Sequence, residues 1–217
     1  MTPRLLVVAA LLSTLRATGA NAPRSLAETV MLDVTLKSID ALPTKAQIDY
    51  AVGSGSGSGL PRLLELANDS MIDLGIQIRA IRLLPLYCPK PDENCGGTPI
   101  HDALLSLVQS SATTLAQASP AELPQGVLRL RAAVEALGAT RSELAADVAA
   151  LTSAPQSLLD HPSRDVRVAV VRALRDLGSC AAVIPLQVRS PKEVNAQVQQ
   201  AIKSALQSLH ASEMCPL

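Results

Sequence analysis

The 217-residue sequence contains no tryptophan and no phenylalanine, and its only aromatic side chains are Tyr50 and Tyr87. Because β-sheets favour aromatic residues, this scarcity disfavours a β-sandwich or a β-barrel. It also leaves few rings on which single-stranded bases could stack. Net charge is absent too, since 19 basic side chains balance 19 acidic ones. The long-range field of a general nucleic-acid binder is therefore missing, and we expect no nucleic-acid partner.

Alanine and leucine, the strongest helix formers, are abundant instead, within a hydrophobic fraction of 48%. Serine or threonine followed three residues later by glutamate or glutamine, the capping box that starts a helix, occurs repeatedly. The boxes are Ser25–Glu28, Thr44–Gln47, Ser119–Glu122, Thr140–Glu143, Ser153–Gln156 and Ser190–Glu193. With the apolar periodicity that follows them, they predict helices over 26–40, 45–51, 61–68, 71–86, 99–118, 120–138, 141–160, 163–178, 180–189 and 191–211. The fold class predicted is all-α.

The N-terminus has the pattern of a secretory signal peptide over residues 1–22. Arg4 precedes an apolar run from Leu5 to Leu15, and Ala20-Asn21-Ala22 supplies a small-x-small cleavage pattern. The run is much shorter than the ~20 residues that span a bilayer, and we expect no membrane span in the mature chain. The alternative is an apolar first helix of the fold. We predict an exported protein, periplasmic or extracellular.

Four cysteines, Cys88, Cys95, Cys180 and Cys215, fit an exported protein. Three disulfide pairings are possible; we favour Cys88–Cys95, which closes a turn-rich loop, and Cys180–Cys215, which ties the C-terminal tail to a preceding helix. A zinc site is the alternative, but the spacing of the cysteines does not match a CxxC motif.

The Gly/Ser run at 53–59, GSGSGSG, is typical of a flexible linker. It predicts a division of the chain into an N-terminal helical pair over 23–52 and a larger helical domain over 60–217.

One apolar pattern recurs in three predicted helices. In 163–178 apolar residues occupy one helix face, and the same spacing is found 90 residues earlier and 32 residues later. The fifteen positions are Val166, Val170, Ala173, Leu174 and Leu177, then Ile76, Ala80, Leu83, Leu84 and Tyr87, and Val198, Ile202, Ala205, Leu206 and Leu209. Stacked helix pairs bury such a face against their neighbours, which predicts a solenoid. An irregular helical bundle is the alternative.

The segment 158–178, LLDHPSRDVRVAVVRALRDLG, resembles the second half of a HEAT repeat. The matching residues are Asp160, Asp165, Val166, Arg167, Val170, Ala173, Leu174 and Gly178. Segments 66–85 and 190–209 resemble it more weakly, with Gln77 and Gln199 at the arginine position. The resemblance implies a short right-handed α-solenoid of HEAT-like helix pairs, with Arg167 pairing with turn aspartates in a ladder between repeats. It also implies a scaffold that binds another protein.

No motif predicts a catalytic residue, a cofactor or a metal site. HExxH, GxSxG, GxGxxG and CxxC are all missing, and His101, His161 and His210 are far apart in sequence. Asp102 is expected to interact with a helix N-terminus rather than to orient His101 as a base. We therefore predict a protein that is not an enzyme. A HEAT-like lyase or isomerase, or a helical protein that binds a small ligand, is the alternative.

Arginine supplies most of the basic side chains, and several arginines fall on predicted helices. If the second helices of the pairs form one wall, these arginines are candidates for contacting a partner's carboxylates. The candidates are Arg79, Arg82, Arg164, Arg172 and Arg175. The alternative is that they are solvated side chains that cover apolar helix edges.

Overall fold

The structure, a computed structural model, describes residues 35–37, 41–52, 59–89, 94–153, 157–211 and 215. These ranges contain helices and turns and no strand, which confirms the all-α prediction. The helices are α1 (Lys45–Ala51), α2 (Gly59–Asn68), α3 (Leu74–Leu83), α4 (Pro99–Gln117), α5 (Leu123–Gly138), α6 (Ala145–Thr152), α7 (Arg164–Leu177), α8 (Val183–Arg189) and α9 (Ala196–Ala211). Short 3-10 turns occupy Leu84–Tyr87, Leu158–Asp160, Cys180–Ala182 and Ser190–Lys192.

Several predictions fall outside the described residues and remain predictions. They are the signal peptide, the box at Ser25–Glu28, most of the helix over 26–40, Gln156 of the box at Ser153, and most of the Gly/Ser run.

Local sequence signals account for several helix ends. The capping box at Thr44 is present, because the Thr44 hydroxyl accepts from the Gln47 amide and the Gln47 side chain accepts from the Thr44 amide. Asp73 caps α3, and Thr98 with Pro99 begins α4. Gly178 ends α7 with φ of 74°, in the left-handed region that glycine adopts without strain.

Two predicted capping boxes are wrong, and tertiary contacts explain both. The Thr140 hydroxyl donates back to the Leu137 carbonyl, and α6 begins only at Ala145. Likewise, the Glu193 carboxylate is buried against arginines, so Asn195 accepts the first amides of α9 in its place. The predicted helices over 141–160 and 191–211 therefore begin later than the sequence pattern indicates. At Ser119, the amide and hydroxyl do donate to Glu122, although α5 begins only at Leu123.

The packing order of the longer helices is simple. Helix α5 packs between α3 and α7, and α7 packs between α5 and α9. Helix α2 packs on α3, and α4 packs on α5. Helices α3, α5, α7 and α9 therefore contact each other in chain order.

The recurrent apolar pattern lies at these helix–helix contacts. Thirteen of its fifteen residues are buried, including Val166, Ile76 and Val198. The exceptions, Tyr87 and Leu206, are half-buried and pack against the same core. The pattern therefore marks a shared core, in which each buried leucine or valine contributes about 1.5–3 kcal/mol.

A hydrogen bond recurs in the same three helices. Gln77, Arg167 and Gln199 occupy the equivalent position, immediately after the first residue of the pattern. Each donates from its side chain to a backbone carbonyl of the preceding turn, those of Asp69, His161 and Glu193 respectively. Glutamine and arginine therefore make the same type of bond at this position, which fixes the turn to its helix.

The described N-terminal residues contact the rest of the core. Tyr87 donates to Asp49 of α1 at 2.7 Å, and the ammonium group of Lys45 lies 4.8 Å from the centre of the Tyr87 ring. Leu36 is buried, and its carbonyl accepts from Arg79 at 2.9 Å. Helix α1 and residues 35–37 thus pack against the same core as α3.

Both favoured disulfides, Cys88–Cys95 and Cys180–Cys215, are present. They confirm the predicted pairing, and no described cysteine is free. The second closes the longer loop, 35 residues, and by loop entropy is the larger contributor, ~3–4 kcal/mol.

The contact between α5 and α7 is close enough to make a steric prediction. A Cβ atom on Gly138 would lie 2.7 Å from the Cα atom of Ala173, so Gly138→Ala must push the two backbones apart. We expect a loss of about 1–3 kcal/mol in the free energy of unfolding, measured by urea denaturation.

Gly126→Ala, in the same helix, is the matched control. There the added Cβ meets the end of the Leu115 side chain, which is able to shift. Helix propensity then favours alanine by up to ~1 kcal/mol. Equal effects of the two substitutions would show that α5 and α7 are not in backbone contact.

Candidate functional site

The five candidate arginines differ in the contacts that they make. Arg79 donates to the Leu36 carbonyl, whereas Arg164 and Arg175 pair with the next residue in their own helix, Asp165 and Asp176. Arg82 and Arg172 are exposed. Three of the five therefore already bond to groups of this chain, and a partner-binding role for all five stays a prediction.

Arg82 belongs to a network of ion pairs that connects α3 to α5. It pairs with Glu135 of α5 at 2.9 Å, and Glu135 also pairs with Arg131 at 2.7 Å. The hydrogen bond from Arg131 to Glu135 raises the pKa of that arginine. Glu135 thus links α3 to α5, and the spacing of Arg131 and Glu135 by four residues was its signal in the sequence.

A small cavity separates this network from α7 and α9. The cavity measures about 50 Å³ and is lined by Arg131 and Glu135, by Asp165 and Arg172 of α7, and by Gln197 of α9. Within the described residues Arg172 has no hydrogen bond or ion pair, so its guanidinium is available to a partner. We call Arg82, Arg131, Glu135, Asp165 and Arg172 the charged wall. It carries both signs of charge, whereas the candidate residues that the sequence offered for partner contact were all arginines.

The expected arginine–aspartate ladder takes a different form. Arg167 donates to the carbonyls of His161 and Pro162 and forms a two-pronged pair with Glu193, at 2.9 and 3.1 Å. The turn aspartates pair elsewhere, Asp160 with Arg189 and Asp165 with Arg164. The partner of Arg167 therefore comes from the turn between α8 and α9, which ties α7 to these two helices.

Glu193 is the centre of this second cluster. Its side chain is fully buried and accepts from Arg167, from Arg189 at 2.7 Å and from the Asn195 amide at 2.8 Å. Burial alone would raise the pKa of Glu193, but these hydrogen bonds lower it to about 2. The carboxylate is therefore charged at neutral pH and stabilises the fold.

A third polar cluster lies inside the protein, between α4 and α6. The His101 ring is buried and contacts Asp147 at 2.8 Å through Nε2 and Asp102 at 3.0 Å through Nδ1. Burial lowers the pKa of His101, but hydrogen bonds to Asp147 and Asp102 outweigh it and raise the pKa above its ordinary value. Asp102 thus orients the ring, contrary to the expectation that it serves only the helix N-terminus.

This cluster contains serine, aspartate and histidine, yet its order is not that of a catalytic triad. The Ser142 hydroxyl donates to Asp147, and Asp147 in turn contacts His101. A nucleophilic serine needs the histidine as its own hydrogen-bond partner. Since Ser142 and Asp147 are fully buried, the arrangement is suited to holding α4 and α6 together.

The loop that supplies Ser142 also borders a polar cleft. Arg141 and Glu143 have φ angles of 48° and 56°, which cost about 1–3 kcal/mol each in residues other than glycine. They line a cleft of about 740 Å³ together with Arg82 and Asp176. The strain is offset by hydrogen bonds that hold the loop, from Cys95 to the Thr140 carbonyl and from Glu143 to the Leu177 carbonyl.

A separate cleft of about 600 Å³ is mainly apolar. Leu115, Leu123 and Val127 line one side, and Leu158 and His161 line the other. Burial, together with the nearby charge of Arg167, lowers the pKa of His161. This cleft has the size and lining of a small-molecule site.

In the described residues no group of three histidine, cysteine, aspartate or glutamate side chains is placed to hold a metal ion. None of the described helices has both the length and the apolar character needed to cross a membrane. No known protein family, curated protein or solved structure matches this chain.

Proposed function

We propose that the chain is an exported scaffold whose charged wall binds another protein. The observation that carries this proposal is the serial packing of α3, α5, α7 and α9, in which each helix contacts the next. One ion pair crosses between helices of the wall, from Arg82 of α3 to Glu135 of α5, and Glu135 also pairs with Arg131 of its own helix. HEAT-like helix pairs over 60–217, arranged as a right-handed α-solenoid, would produce this order of contacts.

The wall favours a partner surface that carries both signs of charge. Arg82 and Arg172 offer planar donors to carboxylates, and Asp165 offers an acceptor to basic side chains. Charges at a rim contribute mainly to specificity and association rate, so the partner must also cover apolar edges of the helices.

The two disulfides support an oxidising compartment, and we place this binding in the periplasmic or extracellular space.

Reversing two wall charges tests the proposal. We expect Arg82→Glu with Arg172→Glu to reduce capture of a stoichiometric protein partner from the native envelope at least tenfold, because like charges would then oppose each other. Capture is measured with the tagged, disulfide-bonded chain and compared with wild type, and thermal melting verifies that the variant is folded.

Arg62→Glu on α2, which also removes an arginine–glutamate pair, is the matched control. It is expected to leave capture unchanged, because it lies outside the wall. Equal capture by wild type and the wall variant would contradict the proposal. So would the finding that the chain turns over a small molecule and captures no protein in stoichiometric amount.

The apolar cleft favours a second candidate function, the binding of a small apolar ligand. Its volume of about 600 Å³ is sufficient for such a molecule, and Ser157, Asp160 and Ser163 stand at its edge as polar groups. Ligand binding there and protein binding at the wall involve different residues, so the wall variant leaves the cleft intact.

A further inference from the structure

Arg129 of α5 is half-buried and lacks the partner that such a group ordinarily has. Its one hydrogen bond runs from Nη2 to the carbonyl of Ala67, at 3.3 Å. Its Nε atom is buried and has no partner, and no carboxylate lies within ion-pair distance among the described residues. Burial lowers the pKa of Arg129, and no acidic neighbour offsets that effect.

Arg167 shows how this protein satisfies a buried guanidinium elsewhere. That side chain makes two bonds to Glu193 and two to carbonyl groups. Arg129 has only the Ala67 carbonyl, near the C-terminal end of α2, where the helix dipole supplies at most about half a negative charge. Most of the positive charge of Arg129 is therefore uncompensated.

Arg129 lines a cavity of about 350 Å³ between α3 and the facing ends of α4 and α5. The other polar lining consists mainly of amides and hydroxyls, which neither repel nor neutralise an anion. These groups are Gln77, Gln117, Gln125, Ser70 and Thr114. The single carboxylate in the lining, Glu122, accepts from the amide and hydroxyl of Ser119 and makes no ion pair with Arg129.

We propose that this cavity binds the carboxylate group of a small polar organic acid. The guanidinium of Arg129 supplies the charge-assisted hydrogen bonds, and the surrounding amides and hydroxyls contact the polar remainder of the ligand. The volume matches a small ligand, and an anion in the cavity would supply the charge that the described residues do not provide. The site is distinct from the charged wall, since no wall residue lines it.

The test is a titration of the disulfide-bonded chain with propionate at constant ionic strength, followed by NMR at the Nε–H resonance of arginine. That resonance is assigned by its loss in Arg129→Gln. We expect a saturable shift of the Arg129 signal with propionate and none with propionamide, which has the same shape without the charge. Arg129→Gln is expected to weaken propionate binding about tenfold or more, whereas Arg62→Gln leaves it unchanged.

Three outcomes would overturn the proposal. One is the absence of a saturable Arg129 shift; another is an equal shift at every exposed arginine, which indicates general ionic screening. The third is tighter binding of sulfate or phosphate than of propionate, which would assign the cavity to a different anion.

Arg129→Met provides a second measurement that does not depend on the ligand. A half-buried cation without a carboxylate partner is expected to be replaceable by an apolar side chain with little or no loss of stability. We expect its melting temperature without ligand to equal or exceed that of wild type, and propionate to raise the melting temperature of wild type only. A large destabilisation by Arg129→Met would show that the guanidinium is already satisfied.

Discussion

His101→Leu is expected to lower the free energy of unfolding by about 3–5 kcal/mol, measured by urea denaturation at neutral pH. The substitution keeps an apolar volume at the site but removes the imidazole that is hydrogen-bonded to Asp147. The Asp147 side chain is fully buried, so its carboxylate would retain only the Ser142 hydroxyl among its described partners. A buried charge without its partner is among the costliest single defects in a protein.

The same ion pair predicts a pH dependence with a defined sign. Because the folded-state pKa of His101 is raised, the folded state binds a proton more tightly than the unfolded state, whose pKa is near 6.5. The resulting stability is fully present below about pH 6.5 and is lost as the pH rises through the raised value. The free energy of unfolding of wild type is therefore expected to fall as the pH rises through the His101 pKa. His101→Leu is expected to show no such fall from this group.

Asp102→Asn is the matched control for this pair. Asp102 contacts the other nitrogen of the same ring, but its side chain is 70% exposed. Removing its charge should lower the free energy of unfolding by less than about 1 kcal/mol, since exposed ion pairs are weak. If His101→Leu cost no more than Asp102→Asn, the buried pair would not contribute to stability in the way described.

The sequence predicted the helical core well because that core depends on local spacing. The pattern at Val166, Ile76 and Val198 repeats within single helices, and each copy is buried as expected. Cys88 and Cys95 are close in sequence, and the short loop between them favoured their pairing. Features that depend on one helix, or on one turn, were thus accessible to prediction.

The polar clusters were not predicted, because each joins residues that are distant in sequence. His101 and Asp147 are 46 positions apart, and Arg167 and Glu193 are 26 apart. Nothing local distinguishes the buried Glu193 from an ordinary capping glutamate, and the capping-box pattern at Ser190 favoured the wrong role. Arg129 shows the same limit, since its lack of a carboxylate partner emerges only when α2 and α5 meet.

Glu193→Gln is expected to cost about 3 kcal/mol in the free energy of unfolding at neutral pH. The lowering of the Glu193 pKa from 4.5 to about 2 corresponds to this free energy, at about 1.4 kcal/mol per pKa unit. The conversion is appropriate because the carboxylate is fully buried. Glutamine has nearly the same volume, so the loss reports the charge rather than a cavity.

The acid limb of the stability curve provides the sharper test. The folded-state pKa of Glu193 is depressed, so its contribution is present above about pH 4.5 and is lost as the pH falls toward 2. The free energy of unfolding of wild type should therefore fall between about pH 4.5 and pH 2. In Glu193→Gln the part of this fall that comes from residue 193 should be missing. Asp160→Asn, which removes a carboxylate that is 64% exposed from the same arginine, Arg189, should cost less than about 1 kcal/mol. If the free energies of unfolding of wild type and Glu193→Gln fell in parallel as the pH is lowered, the charge of Glu193 would not be what joins α8 and α9 to α7.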